Sequence, residues 1–115
     1  MDGEGYEEKT VALHIHPFLK IEILGEKQVI SADIGFSEKG MQVIHIHDTT
    51  GKLHIEAPYL HKFYLRVFFT IWDKTFSSTC IFEYCYYLFL KNGPRNLEGN
   101  QLLIVRLDKV VYHPF

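Results

Sequence analysis

The sequence predicts a strand-rich α+β domain: antiparallel β-hairpins forming a sheet or small sandwich, with one short helix at about residues 65–73 and a β-grasp-like arrangement among the forms allowed. Three observations predict it. Apolar residues recur at every second position over 11-VALHIHPFLKIEIL-24, and again over 43-VIHIH-47 and 53-LHIE-56, which is the period of a half-buried strand. Only 65-LRVFFTIWD-73 has helical spacing instead. A chain of 115 residues with 47% apolar and 15% aromatic content is also long enough for one compact domain with its own core, and too short for two.

Residues 1–9 are polar and acidic and read as a flexible terminus ahead of a single β-rich domain over 10–115. From Val11 to Leu24 the odd positions Val11, Leu13, Ile15, Leu19, Ile21 and Ile23 are apolar, so one face of a long strand is buried. Pro17 cannot donate to a ladder and marks a bend or an edge. Gly25-Glu26-Lys27 then turns the chain into a return strand, 28-QVISADI-34, completing a hairpin.

After the loop 35–41 a second hairpin follows. With Thr50-Gly51 as a two-residue turn, His47 faces His54 and His45 faces Glu56, while Ile44 and Ile46 meet Ile55 and Leu53 on the reverse face. The register that builds an apolar face thus gathers the imidazoles on the other, and a slip of one residue would lose both.

Leu65, Phe68, Phe69 and Trp72 fall at i, i+3, i+4 and i+7, giving a helix whose aromatic stripe faces the sheet as core rather than as a ligand platform. Beyond it, Cys80 to Leu90 is strand-like, Asn92-Gly93-Pro94 is a turn, and 101–107 and 109–112 are closing strands. The two cysteines, Cys80 and Cys85, read first as small apolar core residues, with a disulfide or metal ligation as alternatives. On one straight strand they would lie about 16 Å apart. A disulfide needs Cα atoms about 4.4 to 6.8 Å apart, so a bridge requires a turn between them.

The net charge is −2 and basic residues are scattered, so the field that nucleic-acid binding requires is missing. No apolar run approaches the roughly 18 residues of a membrane span, and MDGEGYEEKT has neither the basic nor the apolar region of a signal peptide. The expectation is a soluble chain. Its compartment stays open, an extracytoplasmic location being compatible with a native leader or anchor since removed; oligomeric state is open too, a homo-oligomer included.

Five of the seven histidines fall into two short blocks, His14 and His16 in one, His45, His47 and His54 in the other. Imidazole is the commonest metal ligand, and His-x-His on a strand places two rings on one face, about 7 Å apart at the backbone. A third His from the neighbouring strand gives three nitrogens and leaves a fourth position for water, a thiol or a carboxylate. His45, His47 and His54 meet that description within one hairpin. Glu56 is then a fourth ligand, an orienter of a ring N–H, or a general base. His14 and His16 either complete the same site or form a second. A lone His on a strand is ordinarily just surface, and that reading applies to His61 and His113, which have no companion at ligand spacing.

Other chemistries fit poorly. Gly40 precedes His45-Ile46-His47 as in the cupin motif, but eight residues separate His47 from Glu56, more than that motif allows. Neither Cys has a local His partner, no Ser lies in a Gly-x-Ser-x-Gly elbow, and phosphate-binding Gly loops are absent.

The blocks HIHPFL, HIHDTTGKLHIEAPY, FFTIWDKTF and STCIFEYC resemble those of a group of small uncharacterised archaeal histidine-rich proteins with HIHP, HTHD-T-G-x-IHIES-P and FFDIW-type motifs. The resemblance runs from about His14 to Cys85. It implies a shared histidine site rather than a reaction, and a location outside the cell on an anchor. His45 and His47 stand where that pattern has the two His of HTHD, and His54 with Glu56 where it has the IHIE pair; Ile46 replaces the usual Thr. After Cys85 only an Asn-Gly turn and closing strands are echoed.

The expected function is metal binding, Cu or Zn, by His45, His47 and His54 with His14, His16 and Glu56 in support. Two alternatives stand beside it. One is a zinc-dependent hydrolase or hydratase with three His ligands and Glu56 as base, separated from the first by an open coordination position beside a cleft. The other is a β-grasp-like interaction module without metal, marked by divergent rings.

Overall fold

The computed structural model describes residues 12–85, 89–91 and 96–108. The acidic start 1–9, the Asn92-Gly93-Pro94 turn, the strand expected over 109–112 and His113 lie outside the described residues.

Pro17 divides the first period-two segment. β1 (Leu13–Ile15) and β2 (Phe18–Ile23) lie on either side of it and enter different sheets. A two-residue turn at Leu24-Gly25 leads from β2 into β3 (Glu26–Lys27), which pairs antiparallel with it. The return strand expected over 28–34 does not form. Gln28 N–H donates to the Ile21 carbonyl at 2.8 Å, the ladder stops, and Ile30 and Ile34 turn into the core.

β4 (Phe36–Ser37) and β5 (Gly40–Met41) make a small hairpin, followed by β6 (Ile44–His45), β7 (His54–Ala57) and α1 (Leu65–Trp72). β8 (Cys80–Ile81), β9 (Tyr84–Cys85), β10 (Phe89–Lys91) and β11 (Leu102–Leu107) complete the described elements. Among the described residues the two larger sheets have the orders β1-β7-β6 and β10-β11-β2-β3, while β4-β5 and β8-β9 are separate two-stranded pairs. The pairings are antiparallel, as expected, except that β2 and β11 run parallel from Phe18↔Leu102 to Ile23↔Leu107. A parallel pair needs a long crossover, and everything from β3 to β10, α1 included, supplies it.

The strand-rich fold with one short helix is thus the one expected, and its period-two faces point as the sequence implies. Leu19, Ile21 and Ile23 of β2 are buried beside Leu103, Val105 and Leu107 of β11. They share one cluster with Ile44, Ile55, Leu65 and Phe68 from the other sheet and the helix. Leu65, Phe68 and Phe69 of α1 are buried and Trp72 partly so, which makes the aromatic stripe core. The helix stops where Asp73 takes a left-handed φ of 64° and donates its N–H to Thr70 O at 3.1 Å, while Lys74 N–H reaches Phe69 O at 2.9 Å. Among the described residues no helix is long and apolar enough to cross a membrane.

The cysteines need a correction. Cys80 and Cys85 face each other across the β8–β9 hairpin, Cα atoms 4.0 Å apart, and are joined as a disulfide rather than left as core thiols. The reversal at Phe82-Glu83, with Phe82 at a φ of 55°, is the turn that a bridge requires. Phe82 thereby reaches Trp72, ring centroids 5.5 Å apart, and ties the hairpin to α1.

The second hairpin also differs. Its register pairs His45 with His54 and Ile44 with Ile55, two residues from that of a Thr50-Gly51 turn. Because the shift is even, every side chain keeps its face. The intervening chain makes a seated loop instead of a tight turn. Ile46 N–H donates to Ile34 O at 2.9 Å, and the Asp48 carboxylate accepts from Thr50 N–H at 3.0 Å and Thr50 Oγ1 at 2.6 Å. Leu19 N–H then donates to Gly51 O, and Leu53 N–H to Pro17 O, both at 2.8 Å, which pins the loop to the β1–β2 junction.

Gly51 has a φ of 86°, and a Cβ there would run into the Leu19 carbonyl oxygen. Gly51→Ala is expected to cost about 2 kcal/mol or more, from the left-handed backbone and the collision together. Urea denaturation of both proteins measures it; an unchanged midpoint would mean that the loop does not sit on β2.

Candidate metal centre

The polar face of the β1-β7-β6 sheet is built by pairing. Across β1 and β7, His14 stands opposite Glu56; across β7 and β6, His54 stands opposite His45. Leu13, Ile15, Ile44 and Ile55 on the same strands turn to the core, so the alternation that buries them brings the imidazoles together. His16, one residue past β1, continues the second row with its ring 4.7 Å from that of His54. His47, just beyond β6, lies 4.3 Å from His54 and 5.1 Å from His45, ring to ring.

All six residues singled out from the sequence therefore share one patch, in two groups. Ligand atoms of His45, His47 and His54 lie within 4.8 Å of one another, and so do those of His14, His16 and Glu56. Glu56 is placed differently from the expected register: it faces His14, not His45. Its Oε2 is 3.5 Å from His14 Nε2 and 3.9 Å from His54 Nδ1. His61 belongs to neither group, and its ring neighbours are Phe63 at 4.9 Å and Tyr59 at 6.0 Å.

His45 is the pivot. It is 1% exposed, the one buried polar residue among those described. Its Nδ1 lies 2.8 Å from the Gln42 carbonyl oxygen, which can only accept, so Nδ1 carries the proton and Nε2 keeps its lone pair. Nε2 is buried without a hydrogen-bond partner. Leaving a buried acceptor unpaired costs about 1–3 kcal/mol. A ring N–H held by a backbone carbonyl is also how ligand histidines are commonly oriented, with the other nitrogen left for the ion.

What encloses His45 was not legible as part of a site. Phe36 packs on its ring at 5.2 Å and on that of His47 at 5.1 Å. Gly35, at a φ of 90°, passes so close that a Cβ would lie 2.6 Å from Ile44 O and 2.8 Å from His45 Cβ. Gln42 contributes only its backbone oxygen, which leaves no mark in a sequence. Phe36, the one aromatic residue in the loop 35–41, is the single trace.

Burial and neighbouring rings favour the neutral form of His16, His45 and His54. Burial, then the neighbouring His47, His16 and His45, lower His54 to about 4 against the pull of Glu56. Burial lowers His45 as well, opposed by its bond to Gln42, and lowers His16, with His14 adding to the effect. A neutral imidazole is the form that binds metal, so these rings need lose no proton at pH 7. Nitrogens around a tetrahedral Zn at about 2.0–2.1 Å lie about 3.3 Å apart, so the groups would close by small ring rotations.

Comparison with protein-family models, curated proteins and solved structures finds no match to this chain. A surface cavity of about 470 Å³, lined by Val29, Trp72, Lys74 and Phe82 among others, includes none of the six patch residues.

The lowered value of His54 has a consequence for the metal-free chain. Between its ordinary value of 6.5 and about 4, the unfolded chain binds a proton at His54 that the folded chain does not. Stability is expected to be level above this window and to fall as pH drops from about 6.5 toward 4. Urea midpoints of metal-free protein across that range measure it, with His54→Ala flattening the slope; an identical slope in the variant would contradict the assignment.

Proposed function

We propose that this chain is a small metal-binding protein holding copper or zinc on His45, His47 and His54, with His14, His16 and Glu56 in support. One observation carries the reading: the buried Nε2 of His45 has a fixed lone pair, no hydrogen-bond partner, and two further imidazoles within ligand reach. A cation answers all three features. Nitrogen-only sets suit both ions, and the usual affinity order gives Cu(II) the tighter complex in vitro. The resemblance to small archaeal histidine-rich proteins, which implies a shared histidine site, points to the same residues.

The alternatives receive less support. The hydrolase reading calls for a cleft beside an open coordination position, and the 470 Å³ cavity lies elsewhere, by Trp72 and Phe82. A metal-free, β-grasp-like interaction module would have no reason to bring two further rings to the buried lone pair of His45.

Elemental analysis of protein purified without an affinity tag or chelating column, followed by competition titration, tests the proposal. At least one Cu or Zn per chain is expected, with His54→Ala lowering affinity by more than tenfold and His61→Ala leaving it unchanged. Metal-free protein that binds neither ion at neutral pH ends the reading, and equal effects of the two substitutions would mean that the ligands are misassigned.

A further inference from the structure

The two ligand groups are contiguous. His16 and His54, one from each, have ring centroids 4.7 Å apart. One carboxylate oxygen, Glu56 Oε2, lies 3.5 Å from a ring nitrogen of His14 and 3.9 Å from one of His54. Glu56 sits on β7, the central strand of the β1-β7-β6 sheet, two residues after His54 of the first group and opposite His14 of the second.

We infer that the patch is a dinuclear centre in which Glu56 bridges two first-row divalent cations, one on His45, His47 and His54, the other on His14 and His16. This rests on the metal-binding reading above and goes beyond it in stoichiometry and in the role of Glu56. Chemistry favours the bridge. Five of the six ligands are neutral, and two neighbouring dications repel. Glu56 is the only anion in either group, and its Oε2 lies within 4 Å of a ring nitrogen from each. A carboxylate has two oxygens and about four lone-pair sites, enough to ligate both ions at once.

The two positions are unequal. The first has three imidazoles, one of them 1% exposed; the second has two, of which His14 is exposed, with the carboxylate and water left to complete it. The first ion therefore binds more tightly, and the second depends on Glu56. Glu56 also lies within 4 Å of the first group through His54, so its charge helps there too, but more weakly.

Titration calorimetry of the whole chain with Zn(II) alone reads the stoichiometry. Two equivalents are expected, the second at least tenfold weaker. The double variant His14→Ala, His16→Ala should keep the first event and lose the second, and Glu56→Gln should weaken the second by more than tenfold and the first by less. A single equivalent indifferent to His14 and His16 overturns the dinuclear centre while leaving the metal-binding reading intact. A single equivalent weakened by all five His substitutions also overturns it, as one ion shared by the whole patch; no binding at all removes both readings. Electron paramagnetic resonance with Cu(II) tests the bridge without any variant. One equivalent should give a full signal and the second should reduce it, because bridged ions couple. Signals that simply add would mean separate ions and no bridging Glu56.

Discussion

Pro17 has no N–H to give a ladder, and that omission decides how the sheets are arranged. Without it, the alternation from Leu13 to Ile23 would run as one strand in one sheet. With it, β1 joins β7 and β6 while β2 joins β11 and β3. The Pro17 carbonyl still accepts from Leu53 N–H, so the loop before β7 is drawn to the same corner and its register follows. His14 and His16 are carried by the short piece so released, and they come to lie beside His54 and Glu56 instead of running off along β2.

Gathering imidazoles on a sheet face has an energetic cost that a solvated surface would not bear. Each ring displaces water from its neighbours, and each would repel another in the charged form, which is why His54 resists protonation so strongly. The arrangement persists because the reverse face of the same strands is apolar and buried: Ile44, Ile55 and Ala57 hold the backbone whatever the rings prefer. The core thus supports a polar cluster that would not assemble from its own interactions.

The parts legible in the sequence were those encoded by parity and local spacing. Alternation placed His45, His54, His14 and Glu56 opposite Ile44, Ile55 and Leu13, and it survived a wrong register because an even shift does not change faces. The helix was legible from Leu65, Phe68, Phe69 and Trp72, and the strand break from Pro17. What was not legible depends on partners distant in sequence. The seating of Gly51 against Leu19, the parallel pairing of β2 with β11, and the contact of Phe36 with two His rings have no local signature. The disulfide depended on a turn at Phe82-Glu83, where a residue other than glycine takes a positive φ, and neither residue type announces a turn.

The parallel pairing of β2 and β11 also sets the order in which this chain can become a folded molecule. The strands carrying the histidines are all synthesised early, and the antiparallel pairings among them close shorter loops than the one that brings Leu102–Leu107 to Phe18–Ile23. Closing that long loop costs entropy before any burial offsets it, and such non-local pairing slows folding. Until β11 arrives, Leu19, Ile21 and Ile23 present an open edge along β2, the kind of edge on which chains aggregate. β11, the last of the described strands in chain order, is therefore the one that covers the edge of β2, while the strands that carry the histidine patch can pair before it arrives.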